Sequence, residues 1–138
     1  MKRYLAILGF VAALGTIGGV RAQSGDPCAL LTQAEATAAL GEPVKRGEPA
    51  IMGCQWERVG GNGHVQLEVA GARYYQPPPK TAKMLPGIGV EAYAYTELGS
   101  PHAMAKTQKS MVAVWASGDK ASSEKVVDLL RTVVGRVD

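Results

Sequence analysis

Residues 90–117 read VEAYAYTELGSPHAMAKTQKSMVAVWAS, and their alternation decides the fold. In Val90 to Tyr95 the small apolar set Val90, Ala92 and Ala94 opposes Glu91, Tyr93 and Tyr95. In Met111 to Ser117, Val112, Val114 and Ala116 oppose Met111, Ala113 and Trp115. Between them, Ala103 to Gln108 places Met104 on one face with Lys106 and Gln108. A period of two marks strands with one face toward a core. Leu98 to Pro101 and Lys109-Ser110 supply the turns, and strands joined by short turns pair antiparallel.

The same grammar extends upstream. Cys54 to Val59 and His64 to Ala70 read as two more strands, joined by Gly60-Gly61-Asn62-Gly63, a run that tolerates positive φ. Thr32-Gln-Ala-Glu35 is a capping box, Gly41 a stop and Pro43 a block to continuation, which predicts a helix over about 33–40. Val126, Leu129, Leu130, Val133 and Val137 recur at helical spacing behind Ser122 and Ser123, which predicts a closing helix over about 123–136. Residues 44–50 hold at most a short edge strand, because of Gly47 and Pro49. Tyr74 to Pro86 is irregular around Pro77-Pro78-Pro79, with one helical turn expected at Lys80 to Leu85. The expected fold is α+β: a two-layer sandwich in which an antiparallel sheet of about five strands carries an N-terminal and a C-terminal helix on one face.

The first residues address the chain to export. Lys2 and Arg3 precede the apolar run Leu5 to Val20, and Val20-Arg21-Ala22 forms a cleavage-like site before Gln23. That order reads as a signal peptide over 1–22, cleaved to leave a single exported domain, 23–138, periplasmic or secreted. The run is interrupted by glycines and is shorter than the roughly 20 apolar residues of a spanning helix. Gln23 stands where a lipid-carrying Cys would be. No stable membrane insertion is therefore expected after cleavage. Lys2, Arg3 and Arg21 leave with the signal, so twelve basic residues face twelve acidic ones. A chain of net charge near zero lacks the basic footprint of a nucleic-acid binder.

Cys28 and Cys54 are the only cysteines. In an oxidising compartment they are expected to pair, stapling a small domain whose single Phe departs with the signal. Neither thiol has a Cys-x-x-Cys spacing or an adjacent basic residue, so redox chemistry is not expected.

Catalytic motifs are not found. Gly61-Asn-Gly63 and Gly87-Ile-Gly89 lack the third glycine of a nucleotide-binding loop and read as turns. Ser100-Pro101-His102 lacks a group to orient the His. Glu57 and Glu68 read as solvated residues on the wet face of the hairpin. No catalytic residue and no cofactor is assigned, and the chain reads as a non-enzyme.

The candidate site is aromatic. If the small apolar sets face the helices, the opposite sheet face displays Tyr93, Tyr95, Met104, Lys106 and Trp115 together, a surface suited to an unknown protein partner or small ligand in the cell envelope. Trp56 shares a face with Cys54 and reads as core. Two alternatives stand beside this reading. One is an inhibitor of an envelope or host enzyme, acting through a loop such as Arg73 to Lys80. The other is a copper site from His102, Met104 and Met111, since imidazole and thioether suit Cu(I).

Asp26-Pro-Cys-Ala-Leu-Leu-Thr-Gln-Ala-Glu35, followed by Leu40-Gly41, Pro43, Cys54-Gln-Trp56 and Pro86-Gly-Ile-Gly-Val-Glu-Ala-Tyr93, resembles a family of small exported domains of unknown function, common among actinobacterial lipoproteins. The resemblance covers nearly all of residues 23–138 and implies the same fold, export and cysteine bridge. It implies no catalytic residues. This chain has Val90 where the family often carries an acidic residue, and it lacks the lipid-carrying Cys.

Overall fold

Thr32 and Glu35 start the first helix as their spacing predicts. The computed structural model describes residues 25–137, and there the Thr32 hydroxyl accepts from the Glu35 amide at 3.1 Å while the Glu35 carboxylate accepts from the Thr32 amide at 2.8 Å. Helix α1 (Gln33–Leu40) ends at Gly41, whose φ of 78° lets its amide reach the Thr37 carbonyl. Helix α2 (Ser123–Val137) starts behind Ser122, whose hydroxyl accepts from the Lys125 amide. The leader read over 1–22 lies outside the described residues.

The sheet has seven antiparallel strands rather than about five. They are β1 (Glu48–Ala50), β2 (Gly53–Glu57), β3 (His64–Gly71), β4 (Lys83–Met84), β5 (Glu91–Glu97), β6 (Ser100–Lys106) and β7 (Ser110–Ser117), in the spatial order β1-β2-β3-β7-β6-β5-β4. Both additional strands are edges. The short β1 contains Pro49. The helical turn expected at Lys80 to Leu85 is instead β4, where Lys83 and Met84 pair with Ala94 and Tyr93 and the Leu85 amide bonds the Ala92 carbonyl. An open β5 edge offers that backbone more partners than a single helical turn would. Pro86 then ends the pairing.

Strand β6 begins earlier than the sequence suggests. Leu98 and Gly99 alone make the β5–β6 turn, with φ of 47° and 79°. That is the pair of left-handed residues a two-residue hairpin needs. Ser100, Pro101 and His102 therefore pair with Glu97, Thr96 and Tyr95. The β6–β7 ladder starts only after Pro101, at His102 opposite Trp115. Val90 lies outside β5 and is 64% exposed, so it does not join Ala92 and Ala94 in the core.

Both helices cover one face. Val65 and Leu67 of β3, Ala92 and Ala94 of β5, Ala103 and Ala105 of β6, and Val112, Val114 and Ala116 of β7 form one cluster with Leu40, Val126, Leu130 and Val133. The alanines of β5 and β6 let α2 lie close to the sheet. Cys28, in a 3-10 turn at Pro27–Ala29, is disulfide-bonded to Cys54 of β2. No described helix is long and apolar enough to cross a membrane.

Arg136, at the end of α2, clamps the start of α1. Its guanidinium donates to both Glu35 carboxylate oxygens, at 2.7 and 2.8 Å, and to the Leu30 carbonyl at 2.7 Å. That guanidinium, with the Thr32 amide, holds the Glu35 pKa at about 2, against 4.5 for a free glutamate. Because the folded value is depressed, the stabilisation is complete above pH 4.5 and is lost as the pH falls toward 2. Solvent reaches both partners, which reduces the contribution to about 1–2 kcal/mol. Urea unfolding is expected to show that loss between pH 5 and pH 2 in the wild type and a smaller one in Arg136→Ala.

Candidate functional site

The face of the sheet turned away from the helices is built by register. Gln55, Gln66, Trp115, His102 and Tyr95 fall in one row across β2, β3, β7, β6 and β5. Neighbouring strands lie about 4.8 Å apart, so flat rings at successive positions of a row meet face to face. Tyr95 stacks on His102 with centroids 4.9 Å apart and planes 21° apart, and His102 stacks on Trp115 at 5.6 Å and 16°. Tyr93 extends the series, 5.9 Å from Tyr95, and Tyr75 meets Tyr93 edge-on at 5.8 Å. The five rings form one continuous ladder.

The five residues expected on this face divide into two groups. Tyr95, Met104 and Trp115 are half-buried and contiguous. Tyr93 is only 2% exposed, because residues 72–76 fold down over it. Its hydroxyl is 3.0 Å from the Gln76 carbonyl, to which it donates, and 3.3 Å from the Met104 sulfur. Lys106 is drawn toward the same strap, its ammonium 6.0 Å from the Tyr75 ring centre. The Arg73 to Lys80 segment is thus anchored at Tyr75 and Gln76. Burial pushes the Tyr75 hydroxyl up to about 12, helped by the Glu91 charge.

The copper trio is not brought together. His102 lies opposite Trp115, whereas Met111 lies opposite Lys106, four residues further along β6 and so about 13 Å away. Met111 is 3% exposed. Among the described residues no group of three or more His, Cys, Asp or Glu is placed to hold a metal ion. Glu57 and Glu68 are also apart, since Glu57 pairs with His64 and Glu68 with Gly53. The strand does put Ser100 and His102 on one face, but no hydrogen bond joins them, and the imidazole is held between Tyr95 and Trp115.

The ladder sets the electrostatics of the face. Burial lowers the His102 pKa, against the opposing pull of Glu97. Burial raises the Tyr95 hydroxyl, with Glu97 adding to it. Glu68 is raised by burial alone. A depression of about 200 Å³ lies beside the ladder, over Ala113, and Glu68, Met104, His102 and Trp115 line it. A comparison of the chain with known protein families, curated proteins and solved structures finds no match.

Gln55, Gln66, Glu68 and Ala113 complete this surface and were not among the expected residues, and His102 was expected only as a metal ligand. The signal for His102 was present: Pro101-His-Ala-Met-Ala-Lys106 alternates, with His102, Met104 and Lys106 on one side. Its stacking partners depend on cross-strand register, which follows from the turn at Leu98-Gly99 for Tyr95 and from the turn between Lys106 and Met111 for Trp115.

Proposed function

We propose that this chain is an exported, non-enzymatic interaction module that binds a protein partner through the sheet face opposite its helices. The observation that carries the reading is the half-buried row of Tyr95, His102 and Trp115 on a face that neither described α-helix covers. Tyrosine and tryptophan dominate the energetics of protein interfaces, because each offers a large rigid contact with a polar edge.

The stacking favours a protein over a planar small molecule. His102 spends both faces on Tyr95 and Trp115, Tyr95 lies between His102 and Tyr93, and the second face of Trp115 is turned along the row toward Gln66. A sugar or nucleobase that stacks needs a free face. The depression of about 200 Å³ also falls short of the roughly 300–1,000 Å³ of small-molecule sites. A broad surface of ring edges with Gln55 and Gln66 beside it suits another folded chain. Export, the signal over 1–22 and kinship with the small exported domains of actinobacterial lipoproteins belong to the same proposal. The Cys28–Cys54 bridge is consistent with an oxidising compartment.

Changing Tyr95 and Trp115 together to Ala is expected to abolish partner retention from the envelope fraction or medium of the producing cells, a loss of at least about tenfold. The fold should persist, since the core lies on the other face, and a dispersed amide NMR spectrum checks that. Full retention by the folded double variant would refute the proposal.

A further inference from the structure

The depression over Ala113 has the makings of a pocket for one particular kind of side chain. In its row, Glu68 of β3, Ala113 of β7 and Met104 of β6 are successive neighbours. Ala113 is the smallest of the three and 5% exposed, so it forms a floor between two longer side chains. The next row contributes Trp115 and His102, which close one side. Every lining group except Glu68 is apolar or aromatic. Glu68 is half-buried, and among the described residues its carboxylate has no hydrogen-bond or ion-pair partner.

A carboxylate at the rim of an apolar pit asks for a cation on an apolar stem. Lysine and arginine side chains are built that way, with several methylenes under a charged head. The stem would lie on Ala113 against the Met104 thioether and the ring edges, and the head would reach the Glu68 carboxylate. The surroundings agree in sign. Glu97 sits close enough to Tyr95 and His102 to act on both, and the lysine of this face, Lys106, is turned toward Tyr75. An acidic partner residue would meet Glu68 and Glu97 as like charges.

We infer that the pit over Ala113 receives a lysine or arginine side chain of the bound protein, its head paired with Glu68 and its stem packed against Met104, His102 and Trp115. This rests on the proposed open-face interaction and names the chemistry at its centre.

The test is amide NMR of the isotope-labelled, disulfide-intact protein, titrated with four capped tripeptides whose central residue is Lys, Arg, norleucine or Glu. The Lys and Arg peptides are expected to shift Glu68, Ala113, His102 and Trp115 signals with weak, millimolar affinity. Norleucine, which keeps the stem and lacks the charge, is expected to bind about tenfold more weakly, as is Lys to Glu68→Gln. Glu68→Gln should fold, because it removes a half-buried charge that no described residue pairs with. Equal binding of norleucine and Lys, no binding of any peptide at the pit, or insensitivity to Glu68→Gln would overturn the inference. Equal norleucine binding leaves the open-face reading intact. That reading fails separately, if the Tyr95 and Trp115 double variant keeps its partner.

Discussion

Trp56→Ala lowers the unfolding free energy by about 4 kcal/mol, within the usual range for a buried Trp truncated to Ala. Trp56 is 1% exposed and sits on the helix-facing side of β2, opposite Val65. The backbone at Gly47 is laid directly on the indole. A β-carbon there would come within 2.6 Å of the indole nitrogen and 2.8 Å of the Cys54 sulfur. Gly47 has no side chain to move into the space the ring leaves, so the cavity persists and its cost adds to the lost transfer free energy. Urea unfolding followed by the fluorescence of the remaining Trp115 measures the effect. A cost below about 1.5 kcal/mol would show that the indole does not organise the core under β1 and β2.

Removing the bridge, with Cys28→Ala and Cys54→Ala together, is expected to cost about 3.5 kcal/mol. The two residues are 26 apart in sequence, and the chain-entropy relation for a loop of that length sets the figure. The loop contains α1, β1 and the first residues of β2, so the unfolded chain gains freedom over nearly a quarter of the described residues. Alanine removes each sulfur and leaves the β-carbon as a methyl group, which avoids burying a new hydroxyl beside Trp56. In a domain of this size the midpoint of thermal unfolding should fall by roughly 15 °C. An unshifted midpoint in the double variant, with the wild-type bridge verified by mass, would contradict this account of its role.

What was legible in the sequence followed local rules. The capping box at Thr32 and Glu35, the stop at Gly41 and the apolar stripe from Val126 to Val133 each specify a helix without reference to anything distant. The alternation in residues 64–70 and 111–117 likewise assigns core and outer faces correctly. The edge strands were harder to read, because β1 and β4 are short and flanked by Pro49 and Pro86. They exist through pairing to a neighbour rather than through their own pattern. The site was half legible for a related reason. Tyr95, Met104 and Trp115 share a face by period alone. The burial of Tyr93 depends on a strap that descends from Tyr75 and Gln76, and the sandwiching of His102 depends on the turn between Lys106 and Met111 and on a two-residue turn with Leu98, an unusual residue for φ of 47°. The pit over Ala113 requires the register of three strands at once, because its floor is defined by what flanks it.

Site-specific photo-crosslinking locates the partner on the surface of the domain. A benzophenone amino acid is placed at Gln66 beside Trp115 on the open face, at Lys80 beyond the strap, or at Thr132 on α2, in the protein made by its own cells. The account predicts one adduct of discrete mass from position 66, absent from positions 80 and 132 and lost when Tyr95 and Trp115 are changed to Ala. An adduct from position 80 or 132 that survives the double change would place the partner elsewhere and contradict the account.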